Sequence, residues 1–480
     1  MKRRILLKGL SCSVAASVAG CVSPYGAEAE EVRSRVRTAS EPTELKITDL
    51  RVARMPVHFR AHVVRIDTNQ GVSGYGEIRD GASPTYALML KSRILGKNPC
   101  NIDKIFRHIK QFGGHGRQAG GVVAVEMACW DLAGKAWGVP CWQMLGGLFR
   151  DRVRMYADTP FDPDPEVTVR RLRRRLKLGY TFLKMDVGIK LLQGVPGTLT
   201  YPRGQGIDPY EFSDTDFSNI KHPFTGIQIT DKGLDAIAQY VRRIRERVGW
   251  DIPIAADHFG RIGLKEAIKL ARALDPFNLA WLEDMIPWQY TDQYAELKRS
   301  CSTPILTGED IYCKEGFLPL FEKSAITICH PDMMTSGGLL ETKKIADIAM
   351  EHGIPMAMHM AGSPIGLMGS VHCAAATENF MVMEHHDVDT PYYDDLVTGL
   401  PKPIVQDGFV PVPAAPGFGV ALNEEVLKDL MRRRGWNLER SYFPSTDQWN
   451  DERSHDRLFS RRQHRHSATF MRRGDFSHIS

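Results

Sequence analysis

The chain has 480 residues, 43% of them hydrophobic and 25% charged, the proportions of an ordinary globular protein with ample core. Its formal net charge of +5, from 62 Lys and Arg against 57 Asp and Glu, is small for this length and sits largely at the two ends, which argues against a nucleic-acid partner. The length suits one large unit of about 250 residues with one smaller domain beside it.

Residues 1–43 read as a targeting segment and linker. The start, MKRRILLKGLSCSVAASVAGC, pairs Arg3 with Arg4 ahead of an apolar stretch that is short and rich in Ser and Ala, the pattern of a twin-arginine export signal. Val18-Ala19-Gly20-Cys21 also has the form of a lipobox, with Cys21 as the candidate lipid anchor. The expected location is therefore periplasmic, tethered to the membrane if Cys21 is lipidated; the alternative is a plain basic leader without either role. Seven further cysteines, from Cys100 to Cys373, are scattered without a C-x-x-C pair, and they read as small buried hydrophobes rather than a disulfide framework.

Residues 44–150 change character. LKITDLRVARMPV and AHVVRIDTNQGVSGYGEIRDG alternate apolar and polar residues around Asn69-Gln70-Gly71, which predicts an antiparallel hairpin or meander. Helical segments follow, ending in AVEMACWDLAGKAWG, so this is an α+β domain. Its glycine-rich loops GEIRDGAS and GGHGRQAGG are placed to overhang whatever site follows.

Residues 151–385 hold the organising pattern. Five short apolar runs each end on a polar residue, at Asp257, Glu283, Glu309, Asp332 and His359, spaced 23 to 27 residues apart. That interval holds one strand, one helix and two loops, and buried parallel strands require such crossovers. The repeat predicts a (β/α) TIM-type barrel, whose chemistry sits at the C-terminal ends of its strands. Carboxylates converging there from consecutive strands repel unless a cation joins them, and an all-oxygen set favours a hard ion such as Mg²⁺. Each acidic residue taken singly has another reading, the N-cap of the following helix; five in register point to a site. A Gly-, Pro- and Asp-rich insertion over residues 187–230 follows the second strand at this same face, and so long a loop is generally functional or unstructured. Tyr201, Arg203, Tyr210 and His222 are its candidate contacts.

Taken in order, AVEMACWDLAGKAWGVPCWQMLGG, FLKMD, AADHFGR, WLEDMIP, TGED, HPDMMTSGG, MHMAGSPIG and PAAPGFGV resemble the enolase superfamily, mandelate racemase type, over roughly residues 45 to 440. The resemblance implies a modified barrel under an α+β capping domain, with residues 386–440 returning to the cap. It implies Mg²⁺ held by Asp257, Glu283 and Glu309, and a His359–Asp332 dyad in which Asp332 fixes the tautomer of the base. In that family a metal-bound carboxylate makes the α-proton removable through an ene-diolate. Racemases of the type carry Lys-x-Lys on the second strand; here the motif is Lys184-Met185-Asp186. Lys184 is expected near the substrate carboxylate, and Asp186, standing where the second lysine would be, is a poor acid-base group for racemisation.

With His359 as the one evident base, the resemblance implies dehydration of a sugar acid to a 2-keto-3-deoxy acid. The family's general acid leaves two candidates, His359 itself and His258. His258 directly follows Asp257, so strict alternation would turn it away from the site. Arg261 is a candidate contact to the substrate. The alternatives are a cycloisomerase or epimerase sharing the first step, and an exported sugar-acid binding protein without turnover. A homo-oligomer is expected from the family. Residues 441–480 are basic and histidine-rich with little apolar periodicity, and they read as a tail without packed structure.

Overall fold

The computed structural model describes residues 41–57, 61–192, 195–200, 228–257 and 262–451. The export signal and Cys21, the insertion residues Tyr201, Arg203, Tyr210 and His222, and both His258 and Arg261 lie outside the described residues.

The N-terminal domain is built on a meander of β1 (Ile47–Arg54), β2 (His62–Thr68) and β3 (Ser73–Ile78), antiparallel throughout. The Asn69-Gln70-Gly71 turn joins β2 to β3 with Gly71 at φ +75°, a left-handed position that suits glycine. Helices α1 (Ile102–Ile109) and α2 (Ala119–Trp137) follow. Gly74 and Gly76 let α2 lie directly on β3, since a Cβ at either would run into the carbonyls of Ala128 and Ala124. The far side of α2 meets the barrel, which is why it is buried almost all round rather than along one stripe.

The barrel comprises β4 (Arg152–Ala157), β5 (Leu183–Asp186), β6 (Ile254–Asp257), β7 (Leu282–Glu283), β8 (Ile305–Thr307), β9 (Ile328–Cys329), β10 (Met356–Met358) and β11 (Phe380–His385). All pair in parallel, and β11 closes on β4 through Met383 opposite Met155. Crossover helices are α3 (Pro165–Lys177), α4 (Asp231–Val248), α5 (Leu264–Leu274), α6 (Thr291–Ser300), α7 (Cys313–Glu322), α8 (Leu339–Glu351) and α9 (Pro364–Ala375). This is the expected TIM-type barrel with an α+β cap. Within the insertion, Leu199–Thr200 and Gln228–Ile229 form a short antiparallel pair. After β11 the chain adds β12 (Phe409–Pro411) antiparallel to β4 and then helix α10 (Glu424–Arg433).

Three buried carboxylates tie the cap to the rest. Glu77 accepts from Ser363 N, Ser363 Oγ and Gly366 N at the start of α9, at 2.7, 2.5 and 2.8 Å. Glu126 accepts from Leu339 N and Leu340 N at the start of α8, at 3.0 and 3.3 Å. Asp131 accepts from Phe418 N at 2.9 Å, which fixes the returning segment. Helix N-termini carry unsatisfied N–H groups, so Glu77 and Glu126 each meet a complementary partner. Burial nonetheless pushes Glu77 up to about 7 and Glu126 up to about 8.

One expectation is corrected. The segment from residue 441 does not begin a tail: Phe443 and Thr446 are buried, Thr446 Oγ1 donates to Leu50 O at 2.6 Å, and Lys91 donates to Thr446 Oγ1 at 2.9 Å. Single side chains, not a periodic face, make these contacts, so no sequence pattern marks them. Residues beyond 451 lie outside the described set. Of the described cysteines, Cys129, Cys141, Cys313, Cys329 and Cys373 are buried, as read from the sequence, whereas Cys100 and Cys301 are only part-buried; all seven are free thiols. No helix among the described residues is long and apolar enough to cross a membrane.

Candidate active site

The barrel interior is plugged by one apolar layer to which each strand or its approach contributes once: Tyr156, Phe182, Ala255, Trp281, Leu306, Ile328, Ala357 and Val382. The rings fill the centre, with Phe182 stacked on Trp281 at 4.9 Å and Tyr156 edge-on to Trp281 at 5.5 Å. Strand side chains alternate, so the residue two positions on points into the barrel again, one layer nearer the strands' C-terminal ends. Counting forward by two gives Asp158, Lys184, Asp257, Glu283, Gly308, His330, His359 and Glu384. One step therefore separates an all-apolar plug from a ring that is polar at every position except a glycine. A further step adds Asp186, Asp310, Asp332 and His386.

Lys184 is fully buried in this ring. Its Nζ lies 2.6 Å from Glu384, 2.9 Å from Asp257, 3.5 Å from Glu283 and 3.8 Å from Asp158. Burial disfavours its charge, but these carboxylates outweigh burial and hold its pKa well above the ordinary value. Burial likewise works against the Glu384 carboxylate, yet Lys184, His359 and His386 hold it down to about 2.

On the neighbouring strands further acids gather beside a histidine. Ligating atoms of Glu283, Glu309 and His330 lie within 4.8 Å of one another, with His330 Nε2 2.9 Å from Glu283. His330 is fixed from behind, its Nδ1 donating to Ala357 O at 3.0 Å. Asp284, next to Glu283, is pushed well above the carboxylate range by burial and then by Glu309, Glu283 and Asp257. Asp257, Glu283 and Glu309 thus share one field, and their oxygens are the donor set a hard divalent cation takes. The residues present fit such an ion.

Asp332 does two jobs. Its Oδ1 accepts from Met334 N at 2.6 Å, the N-cap geometry. Its Oδ2 faces His359 Nδ1 at 2.6 Å. His359 is buried, and its Nε2 sits 2.9 Å from Glu309 and 3.5 Å from Glu384. Burial alone would lower the His359 pKa; Glu309 leads the groups that raise it well above the usual value. Asp186 sits at the end of β5 opposite Asp257.

Besides His330, sequence reasoning missed four members of this site. Arg79 comes from the loop after β3 in the cap, fully buried, ion-paired with Asp332, 3.3 Å from Glu309 and 2.9 Å from His359 Nδ1. Its guanidinium is held charged by these acids against burial. Asp158, Glu384 and His386 are the others. His386 lies 3.5 Å from Asp158 and 3.6 Å from Glu384. His385, between Glu384 and His386, turns outward to Tyr180 Oη at 2.6 Å. The GGHGRQAGG loop also reaches the mouth, Gly116 N donating to Asp310 O at 2.8 Å.

Residues 33–146 match the mandelate racemase/muconate lactonizing enzyme N-terminal domain, and residues 167–426 match the enolase C-terminal domain-like family. The chain belongs to the mandelate racemase/muconate lactonizing enzyme family of the enolase superfamily. Among its relatives, the D-xylonate dehydratase of Haloferax volcanii is 32% identical over 395 residues, which covers 80% of this chain and 89% of that protein. The D-galactonate dehydratase of Verminephrobacter eiseniae is 26% identical over 401 residues, 81% of this chain and 95% of that one. Among solved structures, a mandelate racemase/muconate lactonizing enzyme-like protein from Rubrobacter xylanophilus superposes with a TM-score of 0.70 at 30% identity, over 80% of this chain and 97% of that one. Family membership and relatives named as dehydratases make this chain an enzyme of the lyase class. Enolase-superfamily members use a divalent metal.

Proposed function

We propose that the protein is a Mg²⁺-dependent sugar-acid dehydratase that converts an aldonic acid to its 2-keto-3-deoxy acid. The observation that carries this reading is the meeting, at one barrel mouth, of the Asp257, Glu283 and Glu309 carboxylates with a histidine, His359, backed by Asp332 at 2.6 Å. An α-proton beside an ionised carboxylate is removable only if the resulting dianion is stabilised, which carboxylates able to hold a cation provide for, and simple binding needs no base. The relatives named for D-xylonate and D-galactonate support a pentonic or hexonic acid as substrate class.

Asp257, Glu283 and Glu309 would hold the ion, which supplies electrophilic polarisation of the substrate carboxylate. Lys184, fixed beside Asp257 and Glu283, adds a second positive charge where negative charge develops. The bond of His359 Nδ1 to Asp332 fixes the ring and leaves Nε2 as the atom that takes up a proton. Nε2 takes the C2 proton. Asp186 in place of a second lysine leaves no cationic partner at that position to return a proton to the opposite face, which favours elimination over racemisation. Export by the twin-arginine route, with the lipid anchor at Cys21, belongs to the same proposal and rests on Arg3, Arg4 and the Val18–Cys21 run.

Purified protein lacking residues 1–43, loaded with Mg²⁺, should form 2-keto acid from at least one member of a panel of pentonic, hexonic, uronic and anhydro sugar acids. Deuterium entering C2 from solvent without keto acid would favour the cycloisomerase or epimerase instead. Neither signal from any acid would leave only a binding protein.

A further inference from the structure

We propose that His386, oriented by Asp158, is the general acid that protonates the departing C3 hydroxyl, working beside His359 as the base. This rests on the dehydratase reading and names a residue that reading leaves open.

The site contains two histidines with related surroundings. His359 has Asp332 at Nδ1, 2.6 Å away, and its Nε2 lies 2.9 Å from Glu309 and 3.5 Å from Glu384 Oε2. His386 has Asp158 at Nδ1, 3.5 Å away, and turns Nε2 toward Glu384 Oε1 at 3.6 Å. Each ring thus has an acid behind it and faces one oxygen of the same carboxylate. The two aspartates come from different strand ends, Asp158 after β4 and Asp332 after β9, so the likeness does not arise from one local turn. Ligating atoms of His359, Glu384 and His386 all lie within 4.8 Å of one another, and the ring centroids of the two histidines are 6.1 Å apart. The hydrogen bond from Nδ1 to Asp332 fixes the His359 tautomer, while the Asp158 carboxylate, 3.5 Å from His386 Nδ1, stabilises the protonated form of that ring by its charge, so one ring is set to accept a proton and the other to deliver one.

Dehydration asks for one group in each role. His359 Nε2 takes the C2 proton, and the C–H electron pair becomes the C2–C3 double bond. The C3–O bond breaks, and the oxygen keeps that pair and takes the proton of His386 Nε2, leaving as water. The enol then tautomerises with a solvent proton at C3, and solvent resets both rings. No electrons are gained or lost overall. The closeness of the two nitrogens places donor and acceptor on one side of the substrate, so the elimination is syn; an anti elimination would need them on opposite sides.

The test compares wild type, His386→Asn and Asp158→Asn, all Mg²⁺-loaded, on the accepted sugar acid and on its 3-deoxy-3-fluoro analogue, following keto acid, fluoride and deuterium at C2. Fluoride leaves without needing a proton. We expect His386→Asn to lose about 10²–10⁴-fold in water elimination, the usual worth of a general acid, while fluoride release stays within about 10-fold of wild type. C2 deuteration should rise relative to elimination, because the deprotonated substrate waits and is reprotonated. Asp158→Asn, a change to a positioning residue, should shift the same ratio in the same direction by less. Retained fluoride release and C2 exchange also report a folded site. Water elimination by His386→Asn within about 3-fold of wild type, or fluoride release falling as far as water elimination, overturns the assignment and returns the acid to His359 or His258. Wild type giving no keto acid from any acid overturns the dehydratase reading itself.

Discussion

Lys184 offers a test of the electrostatics that does not depend on knowing the substrate. Its ammonium is the one cation facing Asp158, Asp257, Glu283 and Glu384 together among the described residues, at 2.6 to 3.8 Å. In Lys184→Met the side chain stays unbranched and loses only its terminal atom in length, and the charge is gone. Breaking a buried ion pair from one side costs about 3–5 kcal/mol, because the other charge stays buried and unpaired. The loss has a pH signature. Glu384 is held down to about 2, so the stability it contributes is present above the ordinary carboxylate range and is lost as pH falls toward 2. In the variant that contribution disappears at neutral pH, and the gap from wild type should close as acid protonates the cluster. Thermal melts in EDTA at neutral pH should therefore show Lys184→Met several degrees below wild type. Adding Mg²⁺ should raise the variant more than wild type, because Asp257 and Glu283 are no longer shared with an ammonium. A metal-free variant melting within about 1 °C of wild type would refute the reasoning.

Other expectations follow from the same structure. Glu126 is raised by burial to about 8, so its protonated form is favoured in the fold: the stability this confers is full below the usual carboxylate pKa and is lost as pH rises through 8. Glu126→Gln should flatten the fall in Tm between about pH 5 and 8 that wild type shows. Gly338, at φ +89°, lies where a Cβ would meet the Glu126 carboxylate, so Gly338→Ala should cost at least about 1–3 kcal/mol from the backbone alone, read as a lower urea midpoint. Asp332→Asn should slow C2 deuterium exchange by about 10²–10⁴-fold by releasing the His359 tautomer.

The barrel was legible because its strands are buried on both faces and so appear as apolar runs ended by polar residues. Asp257, Glu283, Glu309, Asp332 and His359 stood out at those ends, and the structure brings all five to one mouth. Glu384 follows the same interval after His359 but stood within FMVMEHHD, where four polar residues in a row hid which one faces inward. Asp158 and His386 become visible only once the inward layer is known, because both sit two residues beyond a member of the layer below. Arg79 carries no such mark. It belongs to a cap loop some 250 residues from Asp332, and its partner is set by how the two domains pack, which periodicity within one element does not encode. The single-residue anchors after 441 were missed for the same reason.

The most direct test of the central claim is the formation of 2-keto acid from D-xylonate and D-galactonate, followed with time for the Mg²⁺-loaded protein, the same protein in EDTA, and His359→Asn. The account predicts keto acid from at least one of the two with metal and His359 present, and a loss of about 10²-fold or more when either is removed. Undiminished keto acid from His359→Asn would contradict the assignment of the base, and turnover unaffected by EDTA would contradict the role given to Asp257, Glu283 and Glu309.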